Sequence, residues 1–308
     1  MKIFKASENP VFTNPSITVG IFDGVHKGHK RVIETLKRIA NKEQGHSVVY
    51  TFWPHPKKII GNNELQLLNT LEEKIELLNE LGIDSVIIKE FNKDFSQTSS
   101  YDFIKQCLVD KYGLKNLIVG HDHHFGKMRE GKYETLGNFS KEFKFNLFHI
   151  NPEGYENTVF SSSLIRKCIL NGDMNNANTY LGYNYFINGI VISGLNLGKK
   201  IGFPTANIKL SDEDKLIPGN GVYAVKTILN NNIYNGMMNI GFRPTLNLSN
   251  SELSIEINIF DFDGDIYNNQ IKVLFIDKLR NEITFPSIEE LRKQLILDKI
   301  KAINILTT

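Results

Sequence analysis

Residues 17 to 29 read ITVGIFDGVHKGH, and this stretch decides the architecture of the first half of the chain. Ile17 to Phe22 is a short apolar run of buried-strand length, and Val32, Ile33, Leu36, Ile39 and Ala40 then recur on one helical face. Strand, glycine-rich loop and helix make one β/α unit. The loop sits where a parallel sheet presents ligands, outside the carboxyl end of a strand. A helix start offers unpaired N–H groups and a positive dipole end that suit phosphate, and Gly28 lets a ligand approach the backbone closely. His26 and His29 are three apart and share a helix face. Two imidazoles there can donate hydrogen bonds to phosphate oxygens and offset charge on a departing phosphate group. Either histidine alone is as readily an exposed helix residue.

Outward from this unit the pattern repeats. Val48 to Phe52 reads as a second buried strand, and Thr70-Leu71-Glu72-Glu73 is a capping box opening a helix that Gly82 terminates. Ser85 to Ile88, a helix around Phe103 to Tyr112 ended by Gly113, and the strand Leu117 to Gly120 extend the succession. A Rossmann-like parallel sheet covered by helices is expected. Near Gly182 the period changes to short strands separated by turns such as Asn230-Asn231-Asn232 and Asp263-Gly264-Asp265, which predicts a small antiparallel β-barrel. A C-terminal helix follows, opened by Ser287 and Glu290 as a second capping box, with Leu291, Leu295 and Ile296 facing the barrel. The boundary is placed near residues 182 to 186, giving domains 1–183 and 184–308.

The 308 residues suffice for two domains, and 41% hydrophobic with 23% charged residues is an ordinary globular composition. A formal charge of +2 marks no global field for nucleic acid or an anionic membrane. Cys107 and Cys168 are the only cysteines and form neither a disulfide framework nor a metal motif, which predicts a reducing compartment. No apolar run approaches the roughly 18 residues of a membrane span, and MKIFKASENPVF has no signal-peptide core, so a cytoplasmic location is expected.

GIFDGVHKGH at 20–29 resembles the signature of bacterial bifunctional riboflavin kinase/FAD synthetases, a branch of the HxGH nucleotidyltransferases. TFWPHP at 51–56, GHDHHFG at 120–126 and SSSLIR at 161–166 follow in the family's order. The resemblance implies that Gly20, Phe22, Asp23, Gly28, Asp122, Ser162 and Ser163 bind nucleotide in an FMN adenylyltransferase domain. It further implies that His26, His29 and Arg166 act on the phosphates, Arg166 as a triphosphate clamp, and that Phe125 lies at the flavin. The family usually carries Asp where Trp53 stands and Thr where Ser163 stands; Ser163 keeps the hydroxyl. The cluster His121, His123 and His124, with Asp23, His26 and His29, also invites a transition-metal reading, which ranks below the nucleotide reading.

GLNLGKKIGFPTAN at 194–207 is too short for a Walker loop and has no Ser or Thr after Lys199. It resembles the riboflavin kinase signature, which implies Gly198, Gly202, Pro204, Thr205 and Asn207 around ATP, with Thr205 and Asn207 as magnesium contacts. LIPGNGVYAV, NIGFRPTL, LSIEINIF and FIDKLRNEITF match the same family in order. FMN already carries an anionic nucleophile, whereas the riboflavin hydroxyl must lose a proton, so only the kinase half needs a general base. Resemblance makes Glu256 that base and places Arg280 and Glu282 at the flavin. Alternation puts Leu253, Ile255, Ile257 and Ile259 on one face and Ser254, Glu256 and Asn258 on the other, either pocket or solvent. The resemblance thus implies an enzyme with riboflavin, ATP, FMN and FAD as partners and Mg2+ as cofactor. A single surviving adenylyltransferase activity, a non-catalytic flavin-binding regulator and a metal hydrolase using the histidine loop are the competing readings.

Overall fold

The computed structural model describes the chain except residues 62–63, 121–132, 152–153, 156–157, 194–197, 199–200, 244–251 and 308. Its contacts divide it into two compact units, Met1–Ser162 and Ser163–Thr308.

The first unit holds a six-stranded parallel sheet in the order β1-β4-β3-β2-β5-β6. Its strands are β1 (Lys2–Lys5), β2 (Ser16–Val19), β3 (Ser47–Trp53), β4 (Ser85–Glu90), β5 (Asn116–Gly120) and β6 (Asn146–Ile150). From β2 the chain winds through α1 (Lys27–Lys42) to β3 and through α2 (Pro56–Ile60) and α3 (Leu71–Glu80) to β4. It then returns to lay β5 on the other side of β2. The order therefore reverses between β2 and β5, the crevice where such sheets take ligands. The edge strand β1, which pairs with β4 along Lys2 to Lys5, has no counterpart in the sequence reading. KIFK is short and mostly exposed, so it carries no burial signal.

Ile17, Val19, Val48, Tyr50, Phe52 and Ile87 supply the sheet side of a core closed by Phe103, Ile104 and Leu108. Those three lie on a π-helical segment, Phe103–Asp110, that continues α4 (Ser100–Asp102). Gly113 follows at φ 68, the left-handed stop expected there. The capping box of α3 forms as read: Thr70 accepts from the Glu73 N–H at 3.2 Å, and Glu73 accepts from the Thr70 N–H at 3.1 Å. Beyond β5 the unit continues through α5 (Tyr133–Phe143), β6 and a small two-stranded ribbon, β7 (Gly154–Tyr155) with β8 (Thr158–Val159).

The second unit begins at Ser163, one residue into α6 (Ser162–Asn171), and continues with α7 (Met174–Leu181), so the contact division falls before the change of hydrophobic period at 182 to 186. The cause is local: Asn178 of α7 donates to the Phe275 carbonyl at 2.9 Å and accepts from the Tyr185 N–H at 2.7 Å. A closed barrel follows in the order β10-β13-β12-β11-β14-β9. Its strands are β9 (Phe186–Ile192), β10 (Ala206–Leu210), β11 (Gly221–Leu229), β12 (Asn232–Arg243), β13 (Glu252–Ile259) and β14 (Gln270–Arg280). Asn230 and Asn231 take positive φ, 49 and 63, in the tight turn joining β11 to β12.

The C-terminal helix α8 (Ile288–Thr307) packs Ala302 and Leu306 against Val222, Ala224, Met237 and Leu279. Ser287 caps it, accepting from the Glu290 N–H, while the Glu290 carboxylate reaches Lys293 at 2.9 Å. The face differs from the one expected: Leu295 is partly buried on the barrel, but Ile296 is 45% exposed. The buried stripe instead runs through Asp298, whose carboxylate receives Arg280 from β14. That ion pair sets the rotation of the helix.

Candidate functional site

In the first unit the expected strand Ile17 to Phe22 stops at Val19. Gly20 still donates to the Tyr50 carbonyl at 3.0 Å, and the backbone then turns with positive φ at Phe22 (52), Gly24 (86) and Val25 (35). Such φ values suit Gly24 and are unusual for Phe and Val, so the surroundings must hold this loop. Phe22 and Val25 are buried, Thr51 donates to the Ile21 carbonyl, and Ser162 donates to the Asp23 carbonyl at 2.9 Å. A Cβ at Gly20 would meet the Phe22 ring at 3.0 Å. The Asp23 carboxylate is buried and accepts from the Leu68 N–H at 3.0 Å. That hydrogen bond fixes the side chain at the mouth of α1.

His26 is the N-cap of α1 and makes no side-chain cap. Its ring stacks on that of His29 with centroids 3.7 Å apart, and Phe22 packs on His29 at 5.2 Å. Gly28 gives this stack its room, since a Cβ there would lie 3.2 Å from the His26 ring. Burial pushes His26 down to about 4, with Asp23 partly opposing. Burial, then His26 and then Lys74, hold His29 well below its ordinary value. Both imidazoles are therefore neutral at pH 7, and neither Nδ1 has a hydrogen-bond partner among the described residues. Buried polar atoms are rarely left so, which fits atoms kept for a ligand. Neutral stacked imidazoles offer N–H donors without mutual repulsion. A triphosphate arriving beside them would favour their protonation.

Sequence reasoning did not single out Lys74 of α3, which is 2% exposed and lies with Nζ 5.2 Å from the Trp53 ring centroid. The signal was present: Lys74 precedes Leu77 and Leu78 by three and four residues, on the buried face of the helix. Trp53 thus covers a buried ammonium. His55 of the same TFWPHP stretch is also buried and caps α2, its Nδ1 accepting from the Lys57 N–H at 3.1 Å. Asp122, Phe125 and the histidines 121, 123 and 124 lie outside the described residues, as does the metal reading built on them. Among the described residues no group of three His, Cys, Asp or Glu side chains could hold a metal ion.

In the second unit, α6 carries Ser163, exposed, and Arg166, half-buried. The barrel brings six of the residues read from the sequence together. Asn207 of β10 stands opposite Glu256 of β13 in register, and Thr205 donates to Glu256 Oε2 at 3.2 Å. Ser254 donates to Oε1 at 3.0 Å, and Asn258 donates to the Pro204 carbonyl at 2.7 Å. Ser254 and Asn258 are buried and Glu256 is half-buried, so this face of β13 is enclosed. Asn258, Gly202, Phe203 and Pro204 line a cavity of about 350 Å³. Gly198 accepts from the Phe203 N–H at 2.9 Å, and a Cβ there would collide with the Phe203 carbonyl. Hydroxyl, amide and carboxylate oxygens gathered in this way are the donors a hard divalent cation takes.

Arg280 is engaged elsewhere. Its Nε and Nη2 hold Asp298 at 2.8 to 3.0 Å, Nη1 donates to the Asn281 carbonyl, and the guanidinium faces the Phe285 ring at 5.7 Å. Glu282 is exposed, and its carboxylate occupies the space over Gly241.

Comparison with known proteins bears on both sites. The FAD synthetase family model matches residues 9–164, and the riboflavin kinase family model matches residues 181–306. The bifunctional riboflavin kinase/FMN adenylyltransferase of Bacillus subtilis is 38% identical over 93% of this chain and 91% of that protein. The proteins of that name from Haemophilus influenzae and Escherichia coli are 37% and 33% identical, over 94% and 93% of this chain and 94% and 91% of theirs. A crystal structure described as a macrolide-efflux protein from Streptococcus pneumoniae superposes with TM-score 0.91 and 27% identity over 99% of both chains. Among the described residues here, no helix is long and apolar enough to cross a membrane. Two family models in tandem and relatives matched along nearly their whole length place this chain in the bifunctional riboflavin kinase/FMN adenylyltransferase family.

Proposed function

We propose that the chain phosphorylates riboflavin to FMN with ATP and then transfers the adenylyl group of a second ATP to FMN, giving FAD and pyrophosphate. Residues 1–183 form the adenylyltransferase domain and residues 184–308 the kinase domain. In the kinase step the riboflavin hydroxyl loses its proton to Glu256 as its oxygen attacks the terminal phosphorus and ADP leaves. Thr205 and Ser254 keep the carboxylate aimed. Thr205 and Asn207 would hold Mg2+, which would supply charge neutralisation to the phosphates.

In the second step an FMN phosphate oxygen attacks the inner phosphorus and pyrophosphate departs, so no proton need be removed. His26 and His29 donate hydrogen bonds to the phosphates, and Arg166, Ser162 and Ser163 contribute further donors. Gly20, Phe22, Asp23 and Gly28 shape that loop, with Asp122 and Phe125 completing the nucleotide and flavin contacts. Arg280 and Glu282 border the kinase flavin pocket, Arg280 by fixing α8. The working compartment is the cytoplasm.

The observation that carries this reading is chemical: an enclosed carboxylate stands beside Thr205 in the barrel, whereas two neutral imidazoles with unpartnered nitrogens stand at the sheet edge. The test is chromatography of products from riboflavin and Mg-ATP over time. FMN rising before FAD is expected, and riboflavin left unchanged would overturn the proposal.

A further inference from the structure

The cation that the sequence motifs leave out is Lys74. It lies on the buried face of α3 and is 2% exposed, with its ammonium electrostatically coupled to Asp23. Its Nζ lies 5.2 Å from the centroid of the Trp53 ring. A cation–π contact of this length recovers only part of what desolvating an ammonium costs. The side chain is thus held at a net cost, and such a cost is retained where the charge serves a ligand.

Its neighbours say which ligand. Asp23 and His29 are the groups with which it interacts electrostatically, both at the loop and helix start described above. Asp23 Oδ1 accepts from the Leu68 N–H, which fixes that side chain in place, and Glu73, the neighbour of Lys74 on α3, is turned to Thr70. Burial lowers the ammonium to about 8, with Asp23 opposing, so most of the population is cationic at pH 7. The described groups coupled to it are the anchored Asp23 and the His29 imidazole, beside the start of α1.

The geometry points to Lys74 as a phosphate-binding residue of the adenylyl-transfer site, its ammonium positioned by the Trp53 ring to take a phosphate oxygen beside His26 and His29. This rests on the adenylyltransferase reading of the first unit. The phosphate belongs either to FMN or to ATP, and kinetics separate the two.

Lys74→Met removes the charge at nearly constant shape. It is expected to lower FAD formation from supplied FMN and ATP by about ten- to a hundred-fold, the worth of a charged hydrogen bond. A raised KM for FMN alone assigns the flavin phosphate; a raised KM for ATP, or a lower kcat, assigns the nucleotide. FAD formation within twofold of wild type overturns the inference. Lys74→Met is expected to hold or raise the melting temperature by removing a buried charge while activity falls, whereas a merely structural lysine would leave the opposite signature, an early melt with FAD formation kept. Should the Met variant instead melt early, Lys74→Arg decides: kinetic constants near wild type support the role, and a loss equal to that of Met contradicts it. Wild-type protein that makes no FAD from FMN and ATP would sink the adenylyltransferase reading itself, whereas an active wild type with an unaffected Lys74→Met sinks only this inference.

Discussion

The two sites handle charge in opposite ways. At the sheet edge of the first unit, donors gather: His26 and His29 are depressed by burial, Lys74 is a buried ammonium coupled to Asp23, and the Asp23 side chain is itself held by a backbone N–H. In the barrel the central group is a carboxylate, Glu256, oriented by two hydroxyls. The difference follows the nucleophiles. A phosphate that is already an anion needs positive surroundings, and a neutral hydroxyl needs a base.

The comparison breaks most sharply at Glu256. Glu256→Ala should cut riboflavin phosphorylation by about a hundred- to ten-thousand-fold, the usual worth of a general base, while FAD formation from supplied FMN stays near wild type. Separate assays with riboflavin and with FMN check this, and unchanged phosphorylation would remove Glu256 from the base role. The mirror variant, His29→Ala, should lower FAD formation by about a hundred- to a thousand-fold as a lost phosphate donor and spare FMN formation. Equal loss of both products in either variant would mean that the sites are not separate.

A smaller effect sharpens the barrel side. Arg280 is tied to Asp298, with side chains 17% and 4% exposed. Breaking such a pair from either end should destabilise the chain by about 3 kcal/mol. Asp298→Ala and Arg280→Ala should therefore shift denaturant midpoints alike and change the riboflavin KM alike, if Arg280 acts by seating α8. A flavin KM raised only by Arg280→Ala would instead place the guanidinium on the flavin.

The smallest effect tests the neutral imidazoles. A histidine whose folded value is depressed binds fewer protons folded than unfolded, so stability is lost as pH falls from about 6.5 toward 4. For His26 the slope is about 1.4 kcal/mol per pH unit in that window, and His29 adds in the same direction. Urea unfolding at pH 7 and pH 5 should show the drop, and His26→Gln should reduce it. An identical slope in the variant would contradict burial as the cause.

Much of this could be read in the amino acids because particular positions carry strong local physics. Thr70 and Glu73 cap a helix by their own hydrogen bonds, and the alternation around Glu256 already set it opposite Ile255 and Ile257. Whether that face was pocket or solvent was settled by β10 and β12 on either side, which are distant in sequence. Long-range partners also explain the other differences. Phe22 leaves the strand because its ring packs on His29, β1 exists through β4, and Ile296 faces outward because Arg280 captures Asp298. Lys74 was legible by phase, but its Trp53 contact joins two separate elements.

The most direct test of two differently charged sites follows radioactive phosphorus from ATP. Given riboflavin and ATP labelled at the terminal phosphate, the protein should place label in FMN and carry it into FAD. With ATP labelled at the inner phosphate, label should appear in FAD and not in FMN. Inner-phosphate label in FMN, or FAD free of label from either position, would contradict the account.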